Sequence, residues 1–189
     1  MTITEKSYTP WGEPQSVEEV AEGITFVSTA SHGGYHLSPE KNQVVNEIWR
    51  RQDNWYEEDC DWAIVAITFP EFFTKEDVSN ARRTAINWLP DEYMAVTGKK
   101  IAIAESKTLS ERAFFAANSD KYIVISAVGD WHEKVPEGQV AVYAAIGGKR
   151  NDTKNEKCFL VHAEEYEKRS GHGFVIDSER HKEIEPIYS

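Results

Sequence analysis

Apolar positions along this chain change their period at Gly98. Before it they recur mainly at helical spacing; after it they come in short runs of β-type residues separated by turn chemistry. In residues 55–70, Trp62, Val65, Ala66 and Phe69 share one helical face, and Pro70 closes the run. That predicts a buried helix, with Glu57, Glu58, Asp59 and Asp61 in its first turn at the positive end of the macrodipole. A strand is the competing reading, because Ile64, Val65, Ile67 and Thr68 are β-branched.

Upstream, Ser16-Val17-Glu18-Glu19 has the form of a capping box and predicts a short helix stopped by Gly23, followed by a strand over 24–29. Ser38-Pro39 opens a helix in which Val44 and Ile48, then Val45 and Trp49, stack four apart, ending near Arg51. Thr74-Lys75-Glu76-Asp77 caps another, with Val78, Ala85 and Leu89 inward and Pro90 as breaker. A last helix over 91–97 closes at Gly98, the expected left-handed residue. Strands are predicted over 100–104, 112–116, 122–128, 139–146, 157–162 and 173–177, with one helical turn at 164–167. Helices before strands define an α+β class. The expected arrangement is one globular domain over 1–189: a helix-rich half (10–97) packed on a mostly antiparallel sheet from a strand-rich half (98–177), then a charged, frayed tail (178–189).

Composition narrows the function classes. The 189 residues, 40% of them hydrophobic, with a mean hydropathy of -0.56, are enough to bury a core. No apolar run approaches the roughly 20 residues of a membrane span. The opening Met-Thr-Ile-Thr-Glu-Lys has neither the charged nor the apolar region of a signal peptide, so a cytosolic location and no membrane partner are expected. Cys60 and Cys158 make neither a zinc spacing nor a disulfide framework. A formal charge of -11, from 32 acids against 21 Lys and Arg, argues against direct nucleic-acid binding and favours a protein partner with a basic surface. The basic cluster after the helices, Lys149, Arg150, Lys154 and Lys157, is expected on a hairpin tip.

Ser31-His32-Gly33-Gly34-Tyr35-His36-Leu37-Ser38 is the most site-like phrase, because paired glycines permit positive φ or close approach of another backbone. Its bland reading is a tight hairpin turn whose histidines bond backbone groups. In the first functional reading, an acidic, tryptophan-rich face binds a protein without catalysis, through His32, Gly33, Gly34, Trp55, Glu57, Glu58 and Asp59. Trp49, Trp62 and Trp88 are assigned to the core; Trp11, Trp55 and Trp131 are left open. The alternative is a small hydrolase or metal-dependent enzyme, with His32 as base, Glu57, Glu58 or Asp59 orienting it and Cys60 as nucleophile. A metal held by His32 or His36 with these acids lacks tight ligand spacing, so no metal and no cofactor is assigned.

Distinctive phrases along the chain are Trp11-Gly12-x-x-Gln15, Ser31-His32-Gly33-Gly34-x-x-Leu37-Ser38, Trp55-Tyr56-Glu57-Glu58-Asp59, Val135-Pro136-Glu137-Gly138, Phe159-Leu160-Val161 with Glu165-Tyr166, and Gly173-Phe174-Val175-Ile176-Asp177. Together they resemble an uncharacterised domain-of-unknown-function family carried by bacteria, plasmids and phages. The resemblance implies a bacterial or phage-infected host cytosol and, by association, an accessory role such as inhibition of host defence. It brings no activity, cofactor or catalytic residue.

Overall fold

The computed structural model describes residues 7–150 and 155–188, so Lys154 of the expected basic cluster lies outside them. The chain divides into two compact units, Met1–Ser110 and Glu111–Ser189. The described residues form six α-helices and two antiparallel sheets, an α+β structure with most helices in the N-terminal half and the longest strands in the C-terminal half.

The first unit has a sheet of its own, a meander of β1 (Ser16–Ala21), β2 (Ile24–Ser28), β3 (Gly33–Leu37) and β4 (Trp55–Glu57). Its helices are α1 (Pro39–Val44), α2 (Trp62–Thr68), α3 (Lys75–Trp88) and α4 (Pro90–Thr97). Ile24, Leu37 and Tyr56 from the sheet pack with Ile64, Val65 and Phe69 around α2, Ala81 and Ala85 of α3, and Tyr93 of α4. The predicted helix at Ser16 is instead β1. Ser16 Oγ meets Ser28 Oγ at 2.7 Å, and the cross-strand ladder to β2 replaces the capping box, whose local bonds contribute only about 1 kcal/mol.

The Ser38 cap and Pro39 start of α1 are as read, with Ser38 Oγ accepting from Lys41 N–H at 3.3 Å. The helix nevertheless stops at Val44. Asn46 Oδ1 accepts from Ile48 N–H at 3.1 Å, a local turn that competes with helix continuation, and Arg50 Nε donates to the freed Val45 carbonyl at 2.9 Å. Val45 and Trp49 are buried, whereas Val44 and Ile48 face solvent. The helical reading of residues 62–69 holds, but α2 begins at Trp62 with no acid in its first turn. Glu57 ends β4, and Asp61 forms an ion pair with Arg51. The Thr74–Asp77 capping box of α3 is present, and Gly98 closes α4 at φ 70°.

Residues 100–104 contain no strand, and 112–116 lie in α5 (Lys107–Ala117), which begins where Ser106 Oγ accepts from Leu109 N–H at 3.3 Å. The second unit's sheet runs β5 (Tyr122–Gly129), β6 (Gln139–Ile146), β7 (Lys157–His162) and β8 (Lys182–Ile184), with α6 (Ala163–Glu167) after β7. Residues 173–177 form no full strand; Phe174 O and Ile176 N–H bond to β5 at 2.9 and 2.8 Å. The tail expected to fray instead carries β8, paired antiparallel with β7. Both faces of β6 and β7 carry apolar residues, and the tail covers one of them with Ile187, whose N–H donates to Tyr143 Oη at 3.0 Å. No helix among the described residues is long and apolar enough to cross a membrane.

Candidate functional site

Strand alternation sorts the first unit's sheet into two faces. Tyr35 and Leu37 point to the core side, where Tyr35 packs on Phe26 and Phe73 with ring centroids 5.1 and 5.7 Å apart. Gly34 and His36 belong to the other face. One row there crosses all four strands, Glu19–Thr25–His36–Trp55, and the next is Val17–Val27–Gly34–Glu57. His36 and Trp55 rings lie 4.6 Å apart, and Trp11 meets Trp55 edge-on at 5.4 Å and 82°. The three partly buried rings make an aromatic platform.

Gly34 makes the platform possible. A Cβ there would stand 2.4 Å from Trp11 Cη2 and 2.4 Å from the Tyr56 carbonyl oxygen, so only glycine lets the indole and β4 approach this closely. The paired glycines therefore serve close approach, not positive φ. The tight turn falls earlier, where Thr29 N–H and Oγ1 donate to the His32 carbonyl at 2.7 and 2.8 Å. His32 is held by its backbone, and its ring is exposed.

The glycines do meet the acidic stretch. Glu58 N–H donates to Gly33 O at 3.0 Å, and Glu58 Oε2 would lie 2.7 Å from a Cβ on Gly33. The Glu57 carboxylate folds back on its own turn to accept from the N–H groups of Asp59 and Cys60 at 2.8 and 3.2 Å, and Glu58 and Asp59 are exposed. Burial, with the carboxylates of Glu57, Asp61 and Asp59, pushes the Cys60 thiol pKa up. That environment favours the protonated thiol over a nucleophilic thiolate. Burial lowers the His36 pKa, with Asp53 opposing, which favours a neutral imidazole against Trp55. No group of three or more His, Cys, Asp or Glu side chains among the described residues is placed to hold a metal.

The tryptophans sort in an unexpected way. Trp49 is core at 2% exposure and Trp62 packs partly against it, but Trp88 is 48% exposed, with the Lys107 ammonium 5.3 Å from its ring centroid. Trp131 is 76% exposed, beside His132.

Two constellations had no motif to mark them. In the second unit, buried His181 accepts the Asp177 N–H through Nδ1 at 3.0 Å, so Nε2 carries the proton shared with Glu165 Oε1 at 3.2 Å. Arg180 bridges Glu165 and Asp177 at 2.9 and 2.6 Å. Both imidazole nitrogens are engaged, so this is a structural tie of the C-terminal segment. In the first unit, Arg82, Arg83, Lys99 and Lys100 surround one cleft. The signal available in sequence was the pair of basic doublets on either side of α4; only the fold brings them together.

These features define a two-sheet α+β protein with an aromatic platform beside an acidic turn. Residues 4–119 match the family described as Domain of unknown function (DUF7007), and the chain belongs to that family. The match includes Trp11, His32, Gly34, Trp55, Glu58 and the cationic cleft; the phrases at Val135, Phe159 and Gly173 lie beyond it. No curated protein and no solved structure matches the chain.

Proposed function

We propose that this chain is a non-catalytic accessory binding protein of a bacterial mobile element or phage, acting in the cytosol on a host-defence protein with a basic surface. The observation that carries the reading is the Trp11–Trp55 pair, held edge-on at 5.4 Å over Gly34, with exposed Glu58 and Asp59 at the neighbouring turn. Tryptophan anchors dominate interface energetics, and pinning them in advance lowers the entropy lost on docking. The adjacent carboxylates favour an arginine- or lysine-rich partner through charge complementarity and speed its approach. The raised Cys60 pKa supports binding over nucleophilic chemistry at the same turn.

Affinity capture from a bacterial lysate tests the proposal. The wild-type chain is expected to retain one stoichiometric protein with a basic face, lost with Trp55→Ala and with Glu58→Lys plus Asp59→Lys while circular dichroism stays unchanged. Elution should shift to lower salt for the charge variants. His32→Ala and Glu58→Gln should combine non-additively, because the Gly33 backbone links their positions. Capture that survives both the tryptophan and the charge variants would refute the assignment.

A further inference from the structure

Ser79, Arg82 and Ile86 fall on one face of α3 at helical spacing. Gly98, in the left-handed conformation at the end of α4, turns the chain so that Lys99, Lys100 and Ile101 line the same cleft as that face. The cleft has a volume of about 480 Å³. Four cations and a single carboxylate, Glu105, line it. The carboxylate is already engaged, with Glu105 Oε2 accepting from Ala102 N–H at 2.8 Å. Arg83 donates to Asn80 Oδ1 at 2.7 Å; Arg82, Lys99 and Lys100 have no carboxylate partner among the described residues.

This grouping runs against the composition, in which 32 acids outnumber 21 Lys and Arg. Like charges gathered without counter-ions repel one another, and an anion in the cleft relieves that repulsion. Ile86, Ile101 and Tyr93 supply an apolar wall that a bare inorganic ion would leave unused. A second cleft of about 350 Å³ shares Arg82 and adds Lys75 and Phe73, which extends the cationic surface along α3.

We infer that this cleft is a binding site for a small phosphorylated organic molecule of nucleotide size, its phosphates on Arg82, Lys99 and Lys100 and its organic part against Ile86, Tyr93 and Ile101. The volume falls within the roughly 300–1,000 Å³ of small-molecule sites. A long nucleic acid is disfavoured, because its phosphates would extend over a surface of net charge -11. A compact anion feels chiefly the cations within a Debye length of about 8–10 Å. The site is separate from the proposed protein-binding platform and stands or falls independently of it.

Isothermal titration calorimetry of the full chain with ATP, inorganic phosphate, sulfate and a single-stranded oligonucleotide, all at one ionic strength, tests the inference. ATP is expected to bind saturably at one site and about tenfold or more tighter than phosphate or sulfate, as an organic moiety with its own contacts requires. Arg82→Glu and Lys100→Glu should each weaken ATP by about tenfold or more, the scale of a lost charge-assisted contact. Trp55→Ala, which changes no charge and lines neither cleft, should leave ATP binding within about twofold, since distant sites without shared partners act independently. Arg82→Gln, checked by circular dichroism, guards against a folding defect in the reversal variants. Absence of saturable ATP binding, equal affinity for sulfate, tighter binding of the oligonucleotide, or indifference to the Arg82 and Lys100 variants would each overturn it.

Discussion

Gly34→Ala places a methyl where the structure has none to spare. The new Cβ would lie 2.4 Å from both Trp11 Cη2 and the Tyr56 carbonyl oxygen, against an ordinary contact of at least 3.4 Å, so each neighbour must yield about 1 Å. One is strand backbone paired with β3, and the other is an indole seated against Trp55. Overpacking of this kind costs about 1–3 kcal/mol, and the reduced unfolded-state entropy of alanine returns about 0.4–1 kcal/mol. The expected net loss is therefore about 1–2 kcal/mol, read as a lower urea midpoint with an unchanged slope. In a Trp11→Ala background one of the two obstacles is gone, so the same substitution should cost less yet still be felt at the Tyr56 carbonyl. A Gly34→Ala change within about 0.5 kcal/mol of wild type, or an equal cost with and without Trp11, would show that the platform does not depend on this close approach.

Trp49 is buried with no partner for its indole N–H among the described residues, so Trp49→Phe should cost under about 1 kcal/mol, because loss of the orphaned donor offsets lost packing; a loss above about 2 kcal/mol contradicts this. Phe69→Ala, at a position only 4% exposed, should cost about 3–5 kcal/mol in denaturant melts, and a near-neutral result would sink its core placement. Burial pushes the Glu165 carboxyl up, but the His181 hydrogen bond and the Arg180 charge outweigh it and hold its pKa below the ordinary value. Arg180 likewise holds the Asp177 pKa down. Folded-state values below the unfolded ones mean stability that is complete above pH of about 4 and lost as pH falls through the lower folded values. The urea midpoint should therefore drop on acidification below that point. Glu165→Gln should flatten part of the drop, and an identical acid profile for the variant would exclude the tie as its source.

What the sequence settled by itself lies within a few residues of its signal. The Thr74–Asp77 box, the Ser38-Pro39 start and the Gly98 stop could be read because cap bonds and a left-handed glycine involve only neighbours along the chain. Strands β5, β6 and β7 were legible because runs of β-type residues sat between clear turns. The same local logic failed wherever a distant partner offered more. Ser16 gave up its box for the β2 ladder, and the charged tail became β8 because an apolar face of the sheet needed covering. Gly33 and Gly34 announced themselves as unusual, yet whether they served a turn or a close approach depended on Trp11, Tyr56 and Glu58 arriving from elsewhere. The cationic cleft is the extreme case. Its arginines and lysines are unremarkable doublets along the chain, and only the packing of α3 against the segment after Gly98 turns them into one field, because electrostatic focusing depends on distance in space.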